Sequence, residues 1–282
     1  VVHCHWLPTI LLAKCAMVLT WTRRPIVFTN WGSDTRLLPK WLTRMALRYC
    51  DALISTAEET DQHLREAGHD DFHSIMAPVD ESRFDRSYDR IKLKESFGIA
   101  EDLPLISFIG RLNYFKDPIT FIRACGHLKQ DGFRFKSLVA GDGDLRQACE
   151  SEIKFLALDE EVLLLGMRND PELNLAVSDV TVHISPIENT WANVIAEAMF
   201  MNVPVVMTSS GHTEKTFTHE VDCLIVPAGD PQRLAGSVKR IIEDATLSAS
   251  LVAGARALLA AKGKDRHTIV TRLKAVYASL PR

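Results

Sequence analysis

The chain has 282 residues, 46% of them hydrophobic and 24% charged, which is typical of a globular protein with two domains or one large one. Its net charge of −3 gives no sign of the clustered basic face that nucleic-acid binding requires. The six cysteines are scattered without a Cys-x-x-Cys pair, which indicates a reduced, cytoplasmic compartment, and no apolar run reaches the length of a membrane span.

The first part of the chain, 1–77, alternates between short apolar runs and amphipathic segments. The pattern predicts strands at 1–5, 25–29, 52–55 and 72–76, separated by helices at 8–20, 39–49 and 58–67. A βαβ alternation of this kind forms a parallel sheet with right-handed crossovers. Because the sequence starts inside a strand, we expect 1–77 to be a partial N-terminal domain.

A polar segment, 78–90, follows and is predicted to be a hinge or linker. A second βα series fills 91–264, with strands at 105–109, 135–140, 162–165, 180–184, 203–207 and 223–226 and helices at 92–97, 118–130, 145–157, 171–177, 191–201, 231–244 and 245–280. The last helix is broken near Gly263, and we expect 265–282 to pack back on the first domain. The predicted fold is α/β, with two doubly wound parallel-sheet domains.

The loop that follows the first strand of the second domain carries two cations, Arg111 and Lys116, after Gly110. A glycine lets the backbone approach a ligand closely, and the loop leads into a helix whose N-terminus adds positive potential. This arrangement suits a diphosphate, although a solvated basic loop would have the same composition.

The segment 182–207 reads as strand, loop, helix and strand. Its loop and helix hold two carboxylates, Glu188 and Glu197, with Asn189 beside the first and Thr190 as a candidate N-cap. In a parallel sheet such a loop lies at the edge where the strands end, and this is where open α/β proteins bind ligands. Acids near a helix start suit the hydroxyl groups of a sugar or ribose.

Two other patterns have simpler structural explanations. Gly141-Asp142-Gly143-Asp144 has the Asp-x-Asp spacing of some metal sites, but a glycine-rich turn with Asp144 capping the next helix is favoured. His3 and His5 share one face of a strand without a third ligand nearby, so a metal site is not favoured.

A basic stripe is predicted on the helix at 39–49, where Lys40, Arg44 and Arg48 recur every four residues. Such a stripe can rest on an anionic membrane surface. An ordinary exposed helix face has the same composition, and this explanation is slightly favoured.

Taken together, these motifs resemble the retaining family 4 glycosyltransferases, group 1 type, of the glycogen-phosphorylase-like GT-B fold. The resemblance rests on Gly-Arg-Leu…Lys at 110–116, Gly-Asp-Gly at 141–143, Ser-Pro…Glu-Ala-Met at 185–199, Asn-Val-Pro-Val-Val at 202–206 and Cys-Leu-Ile-Val-Pro at 223–227. The N-terminal half is similar through His-x-His at 3–5, Trp-Gly-Ser-Asp at 31–34 and Asp-Ala-Leu-Ile at 51–54.

The resemblance implies two Rossmann-like domains facing a cleft and a hexosyltransferase that needs no metal and no cofactor beyond its nucleotide diphosphate sugar donor. Its acceptor would be a saccharide or a lipid-linked molecule, in polysaccharide or glycolipid assembly at the inner face of the membrane. The catalytic residues implied are Arg111, Lys116, Glu188 and Asn189. Donor-binding residues would be these four with Gly110, Gly141, Met167, Arg168, Thr190 and Glu197, and acceptor-side residues would be Asn30, Trp31 and Asp34.

Within that assignment Arg111 and Lys116 would hold the pyrophosphate, Glu197 the ribose hydroxyls, and the loop 166–168 the base. The family places an acid eight residues before Glu197, where this chain has Asn189, with Glu188 one position earlier. Either residue is therefore a candidate for the contact with the donor sugar. We favour Glu188, because a negative group stabilises developing positive charge.

Two other functions fit the same sequence. A nucleotide-sugar epimerase of this fold would need acid–base residues but no acceptor. A non-catalytic remnant that binds nucleotide sugars would retain the second domain alone.

Overall fold

The computed structural model describes residues 1–31, 39–77, 79–84, 88–185, 192–210, 213–263 and 265–281, with the backbone alone at 58, 59 and 81. Its contacts divide the chain into two compact units, one formed by 1–78 with 263–282 and the other by 79–262. Each unit contains one parallel sheet with helices on its faces.

The first unit is built on a four-stranded sheet in the order β1-β2-β3-β4. Its elements are β1 (Val2–Cys4), α1 (Leu7–Leu19), β2 (Ile26–Asn30), α2 (Lys40–Leu47), β3 (Ala52–Ser55), α3 (Glu58–Glu66) and β4 (His73–Ser74). All neighbouring strands run parallel, as the βαβ pattern predicts, although β4 is shorter than the run predicted at 72–76.

Both faces of this sheet are covered. On one face, buried residues of α1 and α2 such as Ile10 and Leu47 pack with Phe28 of β2. On the other face, Val27 and its neighbours pack against Ile269 and Val276. These last two residues belong to the final helix, so the end of the chain completes the core of the first unit.

The second unit contains a six-stranded parallel sheet in the order β10-β9-β8-β5-β6-β7. Its strands are β5 (Leu105–Ile109), β6 (Lys136–Ala140), β7 (Val162–Gly166), β8 (Val180–His183), β9 (Val205–Thr208) and β10 (Leu224–Val226). The order reverses between β5 and β8, which pair directly with each other. This is the topological switch point of a doubly wound sheet, and the predicted fold class is confirmed.

The remaining helices follow the predicted series, with two additional short helices at 81–84 and 213–216. They are α4 (Glu81–Phe84), α5 (Arg90–Ser96), α6 (Pro118–Gln130), α7 (Arg146–Phe155), α8 (Pro171–Val177), α9 (Asn193–Phe200), α10 (Thr213–Thr216), α11 (Pro231–Glu243), α12 (Ala245–Lys262) and α13 (Arg266–Ser279). The break predicted near Gly263 is confirmed, since α12 ends just before it.

Local details differ from the predictions in three places. Asp144 does not cap α7, because Leu145 holds the N-cap position and no side chain accepts a hydrogen bond there. Helix α9 begins at Asn193 with Ala192 at its N-cap, and Thr190 lies outside the described residues. In the segment predicted as a linker, Val79 and Phe84 are buried, so its first part packs into the second unit.

Candidate active site

The strands that precede the two loops singled out by the sequence, β5 and β8, are neighbours at the switch point. The loop 110–117 leaves the end of β5, and residues 184 and 185 follow the end of β8. In doubly wound sheets, ligands bind in the crevice outside the carboxyl ends of the strands at such a point. Of the predicted site residues, Asp34, Glu188, Asn189 and Thr190 lie outside the described residues.

The loop after β5 is held by its backbone against the turn that follows β6. Gly110 N donates to Ala140 O at 2.9 Å, and Leu112 N donates to Asp142 O at 3.0 Å. A Cβ atom on Gly141 would lie 1.8 Å from Gly110 O, which no side chain tolerates. Gly141, the first glycine of Gly-Asp-Gly, thus allows the two loops to touch, which agrees with its predicted role in a glycine-rich turn. A contact between Gly141 and a donor stays a prediction.

Side chains fix the rest of the loop. Asn113 Oδ1 accepts from Lys116 N at 3.1 Å and caps a short 3₁₀ turn at Tyr114–Lys116. Asp117, in a left-handed conformation with φ 36°, caps α6 by accepting from Thr120 N at 3.2 Å. Because this carboxylate already occupies the helix N-terminus, the positive potential expected there is partly offset. Binding of an anion therefore depends on the two cations.

Both cations lie where an incoming anion can reach them. Arg111 is exposed, and Lys116 is half-buried with its aliphatic stem against Gly110. A Cβ atom at Gly110 would lie 3.7 Å from Lys116 Cγ, an ordinary van der Waals contact, so the packing of Lys116 does not by itself require a glycine here. The structure thus brings Gly110, Arg111 and Lys116 together, as predicted.

His183, the last residue of β8, is a site residue that the sequence analysis missed. It is buried, and burial together with the positive charge of Lys116 lowers its pKa to about 3, so the imidazole is neutral. Its Nε2 has no hydrogen-bond partner among the described residues, and neither has the buried Oγ of Ser185. The sequence feature that could have identified His183 is a histidine within a largely apolar strand.

Glu197 lies in the second turn of α9 in an unusual electrostatic environment. Burial raises its pKa to about 7, while Arg83 opposes this shift and Glu172 adds to it. Arg83 is held by Glu172 at 2.5 Å and by Asn169 O at 3.0 Å. Arg83 falls in the segment predicted to be a linker, and no pattern in the sequence marks it as a site residue. A carboxyl group that titrates near neutral pH can accept hydrogen bonds from two neighbouring hydroxyls.

In the loop after β7, only one of the two predicted donor residues is accessible. Met167 is 75% exposed and offers an apolar surface. Arg168 is engaged within the loop, where it forms a two-pronged ion pair with Asp170 at 2.7 and 2.6 Å and packs over the ring of Phe97. Met167 is therefore the better placed of the two to border a base.

At the corresponding edge of the first sheet, Asn30 and Trp31 differ sharply. Asn30 is fully buried, and its Nδ2 donates to Thr60 O at 3.4 Å, so its side chain belongs to the core of the unit. Trp31 is 41% exposed. Of these two predicted acceptor-side residues, only Trp31 presents a side chain at the surface.

The predicted basic stripe is largely used within its own unit. Lys40 pairs with Glu66 at 2.9 Å, and Arg44 Nε donates to Ala67 O at 2.9 Å near the end of α3. All three side chains are exposed, and Arg48 is the one of them that forms no side-chain hydrogen bond or ion pair with the described residues. In the described part of the chain, no helix combines the length and the apolar character needed to cross a membrane.

Two surface cavities, of about 410 and 340 Å³, lie at the opposite edge of the second sheet, where the strands begin. The cations in them are already bound. Lys94 donates to Glu101 O at 2.8 Å and Leu103 O at 2.7 Å, and Arg90 pairs with Asp179 at 2.6 Å. These cavities therefore lie at the edge of the sheet opposite to Arg111 and Lys116, and their own cations are engaged within the protein.

Among the described residues, no group of three or more His, Cys, Asp or Glu side chains is arranged to hold a metal ion. Asp142 interacts within its own turn, accepting from Gly143 N at 2.8 Å and pairing with Arg146. Metal independence stays a prediction.

Comparison with known proteins finds similarity to glycosyltransferases. A family model described as glycosyl transferases group 1 matches residues 103–244. An uncharacterized glycosyltransferase of Methanocaldococcus jannaschii is 30% identical over 157 residues, which cover 55% of this chain and 40% of that protein.

A second relative, from Campylobacter jejuni, is 27% identical over 244 residues, which cover 83% of this chain and 63% of the relative. It is named as an alpha-1,4-N-acetyl-D-galactosaminyltransferase that acts on an undecaprenol-linked diphosphate saccharide. The chain thus spans between 40% and 63% of the length of these two relatives.

The structure of Anabaena Alr3699/HepE in complex with UDP-glucose superposes with a TM-score of 0.85 at 22% identity, covering 99% of this chain and 78% of the other. At this identity the similarity establishes a shared fold.

Proposed function

Because the chain belongs to the group 1 glycosyl transferases, we propose that it transfers a sugar from a nucleoside diphosphate sugar to a saccharide or lipid-linked acceptor. The observation that carries this proposal is the position of Arg111 and Lys116 on a rigid loop at the switch point of the second sheet. In doubly wound sheets this is where nucleotides bind.

The two cations have a chemical role in the proposed reaction beyond binding. When the bond between the anomeric carbon and the diphosphate oxygen breaks, the electron pair stays on the diphosphate, whose negative charge grows. Arg111 and Lys116 would stabilise this charge more than that of the bound donor, which lowers the barrier. Two fixed cations make a metal ion unnecessary for this step, so we propose a metal-independent reaction.

The remaining donor contacts follow from the same edge. Glu197 would accept hydrogen bonds from the two ribose hydroxyls, and Met167 would pack on the base. The neutral imidazole of His183, whose Nε2 has no hydrogen-bond partner among the described residues, feels the charge of Lys116 and would keep the end of β8 uncharged beside the cations. The acidic side chain of Glu197 suits hydroxyl groups, and the apolar side chain of Met167 suits a base.

We further propose a retaining reaction in which the acceptor hydroxyl oxygen attacks the face that the diphosphate leaves, and the hydroxyl proton passes to the departing diphosphate. Glu188 would stabilise the positive charge that develops at the anomeric carbon. Asn189, which can donate and accept hydrogen bonds but carries no charge, is the alternative.

The choice between Glu188 and Asn189 can be tested with the donor at saturation. We expect Glu188→Gln to lower turnover at least about tenfold with unchanged donor affinity, because a lost charge–charge contact in the transition state costs more than about 1.4 kcal/mol. A fall in turnover for Asn189→Ala alone would transfer the role to Asn189.

We also propose that the first unit contacts an anionic membrane surface. Residues 1–50 contain seven Lys or Arg and a single acid, Asp34, in a chain whose net charge is −3. Lys40 and Arg44 are engaged internally, so the contact would involve the exposed Arg23 and Arg24 next to the outward-facing Leu19, which is 81% exposed. Cations beside exposed apolar side chains suit a lipid headgroup region.

The activity itself is tested by incubating the protein with UDP-sugars and candidate acceptors and by following both UDP release and the anomeric configuration of the product. Acceptor-dependent UDP release with an α-product from an α-linked donor is the expected result. An inverted product would refute the retaining reaction, and conversion of the donor sugar to its epimer without an acceptor would refute transfer.

A further inference from the structure

Three aromatic rings form a row at the edge where the strands of the first sheet end. Side chains alternate along a strand, so His3 and His5 point to the same face of the sheet as Thr29 and Trp31. The rings of His3 and His5 stack with centroids 4.4 Å apart, and the centroids of His5 and Trp31 are 6.2 Å apart. The row runs from the half-buried His3 to the exposed His5 and Trp31.

The buried end of the row is fixed at both ring nitrogens. His3 Nδ1 lies 2.6 Å from the hydroxyl of Tyr277, and Nε2 lies 2.7 Å from Thr29 Oγ1. Tyr277 belongs to α13, which packs on this face of the sheet through Val276. Burial and the neighbouring His5 lower the pKa of His3. His3 is therefore a fixed, neutral support for the ring stacked on it.

The contact between His5 and Trp31 determines which nitrogen of His5 carries the proton. The indole Nε1–H of Trp31 can only donate, and it lies 3.2 Å from His5 Nδ1. His5 Nδ1 must therefore accept, and the neutral ring carries its hydrogen on Nε2. The Nε2–H lies on the side of the ring away from this bond, so His5 offers a hydrogen-bond donor beside the indole.

This geometry does not suit a metal ion. The two histidine rings stack with an angle of 29° between their planes, so their nitrogens do not converge on one point, and both nitrogens of His3 are used. It also differs from a phosphate site, because the row consists of neutral aromatic groups. An exposed indole face with one adjacent donor is suited to a ring that is apolar on its face and bears hydroxyls at its rim.

We infer that His5 and Trp31 form a platform for a pyranose ring of the acceptor. The C–H face of the sugar packs on the indole of Trp31, and His5 Nε2–H donates to a ring hydroxyl. This inference rests on the proposed function, since it names the class of acceptor that the first unit holds. His3 and Tyr277 act as positioning residues that keep His5 at its place in the row.

Saturation-transfer NMR tests the platform with methyl α-D-glucopyranoside and methyl N-acetyl-α-D-galactosaminide as probes and with sorbitol as an acyclic control. We expect the pyranosides, but not sorbitol, to receive saturation from the parent protein. Trp31→Ala should weaken this transfer about tenfold, the loss typical of one aromatic contact. His5→Ala should weaken it, and His5→Gln should restore most of it, because glutamine retains an N–H donor.

The matched control is Phe155→Ala, which removes an aromatic side chain that is 83% exposed in the second unit and should leave the transfer unchanged. The platform is refuted if neither pyranoside receives saturation from the parent, if sorbitol receives as much, or if Trp31→Ala behaves like Phe155→Ala. UDP-induced stabilisation, measured on the same samples, reports separately on the proposed function and should be equal in all four variants.

Discussion

The two sheets of this chain end in different kinds of surface. The edge of the second sheet is made of backbone and cations, since glycines bring two loops into contact and Arg111 and Lys116 extend from them. The edge of the first sheet carries a row of aromatic side chains, of which His3 is held by two hydroxyl groups. One edge suits a diphosphate and the other a sugar ring, so a common architecture would provide the separate donor and acceptor sites that we propose.

The largest effect expected at the second edge comes from Gly141→Ala. Because the added Cβ would lie 1.8 Å from Gly110 O, the two loops must separate, at a cost of about 3 kcal/mol or more. We expect a Tm lower by roughly 10 °C and loss of UDP binding. The control is Gly132→Ala, at a positive φ with nothing within 4 Å, which should cost only about 1 kcal/mol and spare UDP binding.

The cations provide the next test. Arg111→Ala and Lys116→Ala should each weaken binding of UDP and of UDP-sugar roughly ten- to a hundredfold, because a charge-assisted contact is worth about 1.5–3 kcal/mol. Titration calorimetry measures both affinities. Arg134→Gln, which removes an exposed cation from the opposite edge of the same sheet, is the matched control. Equal UDP affinity in the parent and both loop variants would rule out the diphosphate site.

The first unit differs from the second in charge as well. Arg23→Gln combined with Arg24→Gln should lower binding to vesicles rich in anionic lipid about thirtyfold at low salt, at about 1 kcal/mol for each cation near the surface. Lys40→Gln, whose cation is paired with Glu66, should have little effect. If Lys40→Gln reduces binding more than the double variant does, the stripe on α2 is the contact.

The smallest effect concerns Glu197, whose pKa rises from 4.5 to about 7 on folding. Between these values the folded chain binds more protons than the unfolded chain, so the contribution of this carboxyl to stability falls as the pH rises. Glu197→Gln should therefore have a Tm above that of the parent at pH 8, with the difference vanishing towards pH 4.5.

UDP binding should show the opposite trend. The ionised carboxylate accepts hydrogen bonds better, so the affinity of the parent should rise as the pH passes through 7, whereas that of Glu197→Gln should be weaker and flat. A parallel pH dependence of the affinity in the two proteins would remove Glu197 from the ribose contact.

Much of the second sheet's edge could be predicted from the sequence because its signals are local. A strand that ends in Gly110 and is followed by two cations identifies the loop, and the βαβ alternation identifies the edge on which it lies. The sequence could not show that β5 and β8 are neighbours, since strand order depends on contacts between distant segments. It also could not show that Gly141 is required by the carbonyl of Gly110.

The residues that were missed or misassigned depend on tertiary contacts. His183 and Arg83 are single polar residues without a repeating pattern, and their environments arise only when α9 and the loop after β7 pack near them. Arg44 has the four-residue spacing of an exposed helix face, yet its side chain donates a hydrogen bond to Ala67 O at the end of α3. Asn30 is at the end of an apolar strand, where ligand contacts are common. The alternation of side chains along the strand nevertheless points it towards the core.

Hydrogen exchange with and without saturating UDP-glucose tests the central claim most directly, because it locates the donor on the whole chain. We predict slower exchange in the two loops at the switch point, 110–117 and 184–192, with little change at the edge where the strands of the second sheet begin. Protection confined to 90–104 or 129–136, which line the two cavities at that opposite edge, would contradict the assignment of the donor site to Arg111 and Lys116.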